Sequence, residues 1–440
     1  MQTLIRGGRV IDPGQFDDIL DILIKDGKIA EITAGGNHPE SGGSSNASGL
    51  SGPEMKIIDA SGKIVTPGLI DMHVHLREPG YEYKETIETG CMAAVSGGFT
   101  AVCCMPNTNP VNDSREVTEF ILKKAAEANT ARVYPVVAIS IGLNGEHLSE
   151  FGDLKEAGAI ALSDDGNPVT DGQFMRKAME YAKGFGLPVI SHSEELSLAA
   201  DGVMNEGAVA TRMGLAGIPN AAESVMVMRD IALSELTDTP IHIAHVSTQE
   251  SVRAIREAKK RGVSVTAETA PHYFTLIDEA VEAYNTNAKM NPPLRSSRDR
   301  EAVRQGLADG TIDAIATDHA PHSVLEKEVE FDRAANGIIG LETAFPLALK
   351  LVSAGIISIG ELVEKMSKNP ARILGIQCGL RVGSPADLTI IDPEITHVVD
   401  TNRLRSLSKN TPFDGWEMKG RAICTMVGGK VAFQDTDFRS

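Results

Sequence analysis

Eight short apolar runs, separated by longer amphipathic segments, restrict the fold of this chain more than any other feature of its sequence. The runs begin at Gly68, Phe99, Ala131, Ala159, Pro188, Pro240, Val263 and Ile312. Near-continuous apolar runs are typical of parallel strands that are buried on both faces, and each intervening segment is long enough to form a helix. Eight parallel strands that alternate with helices predict an α/β fold, the (β/α)8 TIM barrel.

The two ends of the chain show a different pattern. Residues 1–66 and 376–440 contain short runs rich in Ile and Val that glycine-containing turns separate, which is typical of β-hairpins. We therefore expect a small composite β-sandwich domain built from both termini, with residues 67–375 as the barrel. Residues 36–53 are rich in Gly and Ser and cannot bury a core, so they are predicted to form a flexible loop.

The charge of the chain excludes two classes of partner. Its 440 residues include 42 Lys and Arg against 60 Asp and Glu, which gives a net charge of −18. A field of this sign repels nucleic acid and anionic membrane surfaces, so we expect neither as a partner. We find no apolar run long enough for a signal peptide or a membrane span, and we expect a cytoplasmic protein. The five cysteines form no C-x-x-C pair, and we expect small buried thiols.

Histidines and aspartates stand at the carboxyl ends of five predicted strands. The first strand ends in His73 and His75, the fourth in Asp164 and Asp165, the fifth in His192, the sixth in His245 and the eighth in Asp318. Catalytic residues of such barrels lie at this edge, and alternation along a strand places His73 and His75 on one face. Nitrogen and oxygen ligands without a thiolate suit zinc, manganese or iron, so the pattern predicts a metal site.

Three further histidines are interpreted as structural. His242 and His319 are predicted to face away from the metal edge, and His272, which follows the seventh strand, lies closer to it. A single histidine at a strand end is usually a satisfied polar residue. Six candidate ligands at one edge are much harder to explain in that way.

Residues 71–80, DMHVHLREPG, carry the most specific motif of the chain. Further motifs follow in order: MPNTNP (105–110), SDDG (163–166), SHSE (191–194), AHVST (244–248), MNPPLR (290–295) and ATDHAPH (316–322). In order and spacing this set resembles the class I bacterial dihydroorotases of the amidohydrolase superfamily. The resemblance covers the barrel and the flanking β domain, and it implies the same two-part fold.

The resemblance implies two Zn²⁺ ions per subunit. The first ion would be bound by His73, His75 and Asp318, and the second by His192 and His245. Many relatives, hydantoinases among them, bridge the two ions with a carboxylated lysine, but the SDDG segment offers no lysine. The class I bacterial pattern places the bridging carboxylate at Asp165 rather than Asp164, beside a bridging hydroxide. Only one of two adjacent side chains can face the barrel axis.

The implied activity is the zinc-dependent, reversible cyclisation of N-carbamoyl-L-aspartate to (S)-dihydroorotate and water in de novo pyrimidine (UMP) biosynthesis. The two ions would lower the pKa of the bound water and polarise the substrate carbonyl. Hydroxide would attack the cyclic amide, and Asp318 would take its proton and pass it to the leaving nitrogen.

The resemblance also assigns the substrate contacts. A carboxylate substrate needs a local cation in a chain of net charge −18, and Arg77 supplies one two residues after His75. The remaining contacts would come from Asn107 and His322 on the carboxylate, from Asn291 on the pyrimidine, from His75, and from the backbone of Asn336 and Gly337. Many relatives read Pro-Phe-Gly where this chain has Ala335-Asn336-Gly337. The polar segment 323–340 around these residues is expected to act as a lid.

Two other functions remain open. A hydantoinase or allantoinase would share the fold, but those relatives use a bridging lysine and lack the LREPG context of Arg77. A non-catalytic partner of aspartate carbamoyltransferase would have lost metal ligands, whereas all six candidates are present. We therefore expect an enzyme that forms a homo-oligomer, such as a dimer, and that could still assemble with the transferase.

Overall fold

A computed structural model describes residues 2–35 and 55–436, and the strands in this part of the chain form three sheets. Strands β1 to β5 are Gln2–Asp12, Phe16–Lys25, Lys28–Ala34, Met55–Asp59 and Ile64–Pro67. Strands β6 to β15 are Leu69–Val74, Phe99–Cys104, Arg132–Val137, Ala161–Leu162, Val189–Ser191, Met204–Asn205, Gly217–Ile218, Ile241–Ile243, Val265–Thr269 and Ala314–Ile315. Strands β16 to β18 are Leu388–Val398, Glu417–Val427 and Lys430–Gln434.

Helices connect most of the strands. The α-helices α1 to α14 are Ile87–Ser96, Arg115–Ala128, Phe151–Ala157, Gly172–Phe185, Leu196–Ala199, Ala208–Met213, Asn220–Thr237, Gln249–Lys260, Pro271–Thr275, Ser297–Ala308, Val324–Lys327, Ala344–Ser353, Ile359–Val363 and Asn369–Leu374. None of those in the described ranges combines the length and the apolar character that a membrane span requires.

Eight strands form the wall of a barrel in the order β6-β7-β8-β9-β10-β13-β14-β15, and each neighbouring pair is parallel. A parallel bridge between Val74 and His319 joins the first strand to the segment after the last. Each of these strands lies within one of the eight apolar runs, so the prediction of a (β/α)8 barrel is confirmed. Strands β11 and β12, which were not predicted, pair with each other.

The Asp71 carboxylate reinforces the closure of the barrel. Asp71 is fully buried in β6, and its Oδ1 accepts hydrogen bonds from the backbone N–H groups of His73 and Thr317, both at 3.1 Å. Burial raises the pKa of Asp71 to about 7. These bonds fix the backbone of β6 and of the segment after β15 relative to each other, directly beside the predicted metal ligands His73 and Asp318.

The remaining strands form a second sheet, the accessory sheet, in the order β18-β17-β16-β5-β1-β2-β3. Strand β4 lies beside the start of β1. The sheet curls, so that β3 at its edge approaches the segment before β16. There the N–H of Ile29 donates to the carbonyl of Ser384 (3.0 Å). Side chains from both ends of the chain, such as Ile22 and Leu388, share one core. The composite β domain is thus confirmed, while its boundaries at residues 66 and 376 stay a prediction. The predicted loop 36–53 lies outside the described residues.

The second sheet docks against the amino-terminal end of β7. The Thr389 hydroxyl donates to the carbonyl of Gly98 (2.6 Å), and the Thr425 hydroxyl donates to that of Val95 (2.7 Å). The segment 399–416, which connects β16 to β17, nevertheless extends to the opposite, carboxyl end of the barrel. There the Asn410 side chain bonds to the backbone of Ala320 and His322.

Of the five cysteines, Cys91, Cys103, Cys104 and Cys424 are buried and Cys378 is half-buried, and all are free thiols. The expectation of buried thiols is therefore wrong for Cys378. Its sulfur lies 3.1 Å from the hydroxyl of Ser367, at the end of the barrel away from the predicted metal ligands.

Candidate active site

The six predicted ligands meet at the carboxyl end of the barrel. All are buried, each with at most 6 % of its surface exposed. The residues are His73 in β6, His75 just after it, Asp165 after β9, His192 after β10, His245 after β13 and Asp318 after β15. Parallel strands carry their carboxyl ends to one edge, which is why residues so distant in sequence converge here.

The Asp165 carboxylate lies at the centre of the cluster. Its Oδ1 lies 3.3 Å from His73 Nε2, 3.4 Å from His192 Nδ1 and 3.4 Å from His245 Nε2. Its Oδ2 faces His75 Nε2 at 3.5 Å. One carboxylate thus contacts four imidazoles, which three strands carry.

The adjacent Asp164 has a different environment. Its carboxylate accepts hydrogen bonds from the backbone N–H groups of Ile139 (2.7 Å) and Ser140 (3.1 Å) and from the Ser140 hydroxyl. Asp164 therefore fixes the segment after β8, and Asp165 is the carboxylate that faces the histidines.

Asp318 completes the cluster on the side of β6. Its Oδ1 lies 3.2 Å from His75 Nε2 and 3.6 Å from His73 Nε2. Asp165 and Asp318 therefore face His73 and His75 from two directions.

The arrangement fits metal ions. Three triads have ligand atoms within 4.8 Å of one another: His73, His75 and Asp165; Asp165, His192 and His245; and His73, His245 and Asp318. His73 Nε2 and Asp165 Oδ1 are buried atoms without a hydrogen-bond partner among the described residues, although buried polar atoms are nearly always paired. A cation between these atoms would satisfy both.

The electrostatics of the cluster favour positive charge. Burial disfavours a charged imidazole, yet the Asp165 carboxylate outweighs that cost and raises the pKa of His192 to about 10. Burial also disfavours a charged carboxylate, yet the His73 imidazolium holds the pKa of both Asp165 and Asp318 below its usual range. A divalent cation in the same place would be stabilised by the same carboxylates.

Three residues of this edge have a strained backbone. The φ angles of Arg77, His245 and Asp318 are 63°, 34° and 49°, a region that residues other than glycine rarely adopt. Each such residue costs on the order of 1–3 kcal/mol, and the surrounding structure has to hold it in place. Strain of this kind concentrates at functional sites.

The turn after β13 illustrates how the surroundings hold His245. The buried Glu223 carboxylate accepts the N–H groups of Ser247 and Thr248 at 3.1–3.3 Å. The Thr248 side chain in turn caps α8 by accepting the N–H of Ser251. The short turn between strand and helix is thus fixed from both sides.

Glu268 orients His73, and our sequence analysis did not identify it. Its Oε1 lies 2.8 Å from His73 Nδ1, and its Oε2 lies 3.4 Å from His242 Nε2. With Nδ1 bonded to this carboxylate, His73 presents Nε2 to the cluster. The single carboxylate in strand β14 was the available signal. His242 contacts Glu268 and His319 contacts Glu85, so both histidines face away from the cluster as predicted.

Arg77 lies beside the cluster in an unusual environment. Its guanidinium is buried, donates to the carbonyl of Pro321 (3.1 Å) and contacts His322 Nε2 (3.2 Å). Glu78, an expected salt-bridge partner if Arg77 were a surface residue, instead accepts the N–H of Ile87 and pairs with Lys124. Within the described ranges no carboxylate forms an ion pair with Arg77.

The predicted substrate contacts Asn107 and Asn291 are both connected to predicted metal ligands. The Asn107 Oδ1 lies 2.9 Å from His75 Nδ1. The Asn291 amide donates to Glu194 (3.2 Å), whose carboxylate lies 3.5 Å from His192 Nε2. Glu194 was quoted within a motif in our sequence analysis but given no role. Asn291 Oδ1 is buried and has no hydrogen-bond partner in the described part of the chain.

Gly337 and Asn336 differ in their environment. The N–H of Gly337 donates to the carbonyl of Lys289 (2.9 Å), and its carbonyl accepts from Lys327 (3.1 Å) and Asn410 (3.0 Å). Asn336 is exposed. A substrate contact through the Gly337 backbone therefore requires one of these bonds to be exchanged.

The comparisons with known proteins agree with this geometry. A family model described as dihydro-orotase-like matches residues 62–251. A dihydroorotase of Desulforapulum autotrophicum is 59% identical over 435 residues, with 99% of each chain covered. The chain belongs to the dihydroorotase family. A dihydroorotase from Geobacter metallireducens is 58% identical. The alignment covers 99% of this chain and 100% of that protein. As a member of this family the chain is a cyclic amidohydrolase.

Solved structures with the same fold come from related amidohydrolases. An L-hydantoinase (dihydropyrimidinase) from Arthrobacter aurescens superposes with a TM-score of 0.86 at 27% identity, over 100% of this chain and 97% of the other. A D-hydantoinase (dihydropyrimidinase) from Thermus sp. gives 0.81 at 26% identity, over 99% and 96%. The barrel and the accessory sheet are therefore shared beyond the dihydroorotase family.

Proposed function

We propose that this member of the dihydroorotase family catalyses the reversible conversion of (S)-dihydroorotate and water to N-carbamoyl-L-aspartate, in de novo pyrimidine biosynthesis. The observation that carries the proposal is the buried Arg77 guanidinium beside a His and Asp cluster that fits metal ions. A buried cation without a carboxylate partner is costly unless a ligand supplies the opposite charge. Dihydroorotate and its ring-opened product both carry a carboxylate, which would form that ion pair.

His322 supports this role of Arg77. Burial and the neighbouring Arg77 lower the pKa of His322 to about 2, so its imidazole is neutral. A neutral His322 accepts a hydrogen bond from Arg77 and holds the guanidinium in one orientation without adding a second positive charge. The pair is then suited to bind one carboxylate in a fixed position.

The metal in this proposal is zinc, two ions per chain. His73, His75 and Asp318 would hold one ion, His192 and His245 the other, and Asp165 both. When bound, the ions would lower the pKa of a bound water and polarise the substrate carbonyl. The absence of a thiolate among these ligands also permits manganese or iron, so metal analysis is part of the test.

Asp318 is the proposed proton carrier. Its Oδ1 lies 3.2 Å from His75 Nε2, at the barrel edge that also carries Arg77, so it could accept a proton from a water bound at this cluster. Its carboxylate takes one proton from that water and returns it to the ring nitrogen as the amide bond breaks. Ring closure follows the same steps in reverse. Asn107 would hold His75 through the 2.9 Å contact, and Asn291 would bind the pyrimidine through its unpaired Oδ1.

Hydantoinase or allantoinase activity is the second candidate, favoured by the fold neighbours. The substrates of those enzymes lack the carboxylate that Arg77 would bind. The bridging position is also Asp165 here, whereas hydantoinases use a carboxylated lysine. Both observations favour dihydroorotate, a ring that carries a carboxylate, over hydantoins and allantoin as the substrate. A purely structural partner of aspartate carbamoyltransferase would have no need for six intact ligands.

The test is hydrolysis of dihydroorotate by the purified chain, followed by ultraviolet absorbance, with metal content determined on the same sample. We expect turnover that a chelator abolishes and zinc restores, with up to two ions per chain. Asp318→Asn should lose at least about 1000-fold in kcat while its secondary structure stays intact, because an amide cannot accept the proton. Near-normal activity of this variant, or hydrolysis of hydantoins in preference to dihydroorotate, would contradict the proposal.

Partners and location stay predictions. We propose a homodimer that can also bind aspartate carbamoyltransferase in the cytoplasm. Light scattering of the pure chain, alone and mixed with the transferase, measures both assemblies directly. A monomer at micromolar concentration that does not bind the transferase would refute this part of the proposal.

A further inference from the structure

Asn410 lies at the catalytic edge although it belongs to the connection between β16 and β17 of the accessory sheet. Only 4 % of its surface is exposed. Its Nδ2 donates to the carbonyls of Ala320 (2.9 Å) and Gly337 (3.0 Å), and its Oδ1 accepts the N–H of His322 (3.0 Å). Its backbone carbonyl accepts the N–H of Ile339 (3.0 Å).

The bonded groups are those that would surround the substrate. His322 contacts Arg77, and Gly337 lies within the segment 323–340 that is expected to act as a lid. The Asn410 side chain therefore fixes the distance between the backbone at His322 and the backbone at Gly337. A carboxamide is required, because the same side chain donates to two carbonyls and accepts from one N–H.

The segment around Asn410 is itself anchored. The Glu342 carboxylate accepts the N–H groups of Arg405 and Ser406. The N–H of Leu407 donates to the buried Glu85 (3.0 Å), and the Ser408 hydroxyl donates to the carbonyl of Lys84 (2.6 Å). Lys84 and Glu85 belong to the loop between β6 and α1 that also carries Arg77. The segment 405–410 thus connects the loop that carries Arg77, through Leu407 and Ser408, to the loop that carries His322, through Asn410.

We propose that Asn410 is a positioning residue that sets the affinity of the active site for a ring that carries a carboxylate. The inference rests on the proposed function. Through His322 it fixes Arg77, and through Gly337 it fixes the edge of the lid. The accessory sheet thereby contributes to substrate recognition through one side chain, without contacting the substrate.

The experiment compares Asn410→Ala and Asn410→Asp with the wild type and with Asn369→Ala. The Asn369 amide also donates to a backbone carbonyl, that of Asp313 (2.9 Å), but at the opposite end of the barrel. Kinetics with dihydroorotate, calorimetric binding of orotate, metal content and thermal melting are measured on each protein. Orotate is the probe because it retains the ring and the carboxylate.

Both Asn410 variants are expected to raise KM for dihydroorotate at least 10-fold and to weaken orotate binding by a similar factor. Their kcat should stay within about threefold and their metal content unchanged, since no metal ligand contacts Asn410. Asn369→Ala should leave KM unchanged. If the Asn410 variants lower kcat and melting temperature but leave KM and orotate affinity as in the wild type, the residue is only structural and the inference fails.

Hydrogen exchange separates this failure from a failure of the proposed function. An inactive wild type with zinc bound would overturn the proposed function, and the positioning role would then be decided by exchange of the amides of residues 320–339. Faster exchange in Asn410→Ala than in the wild type, above all at the amide of His322, would support the positioning role even if the wild type is inactive. Unchanged exchange overturns it.

Discussion

At the scale of single residues, the site depends on groups that orient the ligands as much as on the ligands. Glu268 occupies Nδ1 of His73 and leaves Nε2 for a cation, and Asn107 does the same for His75. A carboxylate bonded to a ligating imidazole fixes the tautomer and increases its basicity. His73 is therefore a better metal ligand than an imidazole without such a partner.

Glu268→Gln should weaken zinc binding about 10- to 100-fold, because an amide keeps the size of the side chain but removes its charge. Competition with a chromophoric chelator measures the affinity. Glu342→Gln is the matched control, since the Glu342 carboxylate bonds to the backbone N–H groups of Arg405 and Ser406 rather than to an imidazole or to a turn that carries a predicted ligand. Equal zinc affinity of the Glu268 variant and the wild type would contradict the role of Glu268.

At the scale of elements, the segment 323–340 is held by a buried lysine. The Lys327 ammonium, at the end of α11, donates to the carbonyls of Ala335 (2.8 Å) and Gly337 (3.1 Å). Burial, together with the nearby Lys289 ammonium, lowers the pKa of Lys327 to about 7. The two hydrogen bonds offset part of the cost of burying this group, so the conformation of the lid depends on them.

Lys327→Met should loosen this segment, because a side chain of similar length leaves the carbonyl of Ala335 without its Lys327 partner, at about 1–3 kcal/mol, and removes one of the two hydrogen bonds to the carbonyl of Gly337. We expect limited proteolysis within residues 328–336 to become at least several-fold faster. Lys365→Met is the control, since Lys365 is a buried lysine that donates to the carbonyl of Ile312 at the other end of the barrel (2.8 Å). Equal cleavage rates within residues 328–336 in the two variants would contradict the role of Lys327 in holding the segment 323–340.

At the scale of the whole molecule, the accessory sheet and the barrel form a continuous structure. Phe413 and Met418 pack into the same core as residues of the barrel wall, and Lys368 pairs with the buried Asp12 across the boundary (2.7 Å). The segment 399–416 then extends from the sheet to the catalytic edge. Unfolding of the sheet would therefore also disrupt the hydrogen bonds that Asn410 makes with Ala320, His322 and Gly337 at that edge.

The stability of the whole molecule should depend on pH through His322. Its pKa is lowered to about 2 by burial and by Arg77, Lys84 and Lys327, against the opposing charge of Glu326. Below the unfolded pKa of 6.5 the unfolded chain therefore binds a proton that the folded chain does not bind. The stabilisation is complete above that value and decreases as the pH falls.

Between pH 7.5 and 5.5 the metal-free wild type should lose up to about 1.4 kcal/mol more unfolding free energy than His322→Gln. Urea unfolding at the two pH values measures the difference. An identical loss in the His322 variant would show that His322 is not the residue that titrates.

The sequence by itself determined the barrel, the composite sheet and the edge at which the ligands meet. Hydrophobic runs are local, and the carboxyl ends of parallel strands must share one edge, so His73, Asp165 and Asp318 could be placed together from spacing alone. The family motif then distinguished Asp165 from Asp164. Phase along the strands also predicted that His242 and His319 face away from the cluster.

Only the tertiary structure decided which groups support that edge. Glu268 is 195 residues from His73, and Asn410 is 88 residues from His322, so no local pattern relates them. Within residues 2–35 and 55–436 Arg77 has no carboxylate partner, and this, like the bonds already made by the Gly337 backbone, is a property of contacts. Pattern and strand order are encoded along the chain, whereas the hydrogen-bond partner of a buried polar atom depends on how distant segments pack.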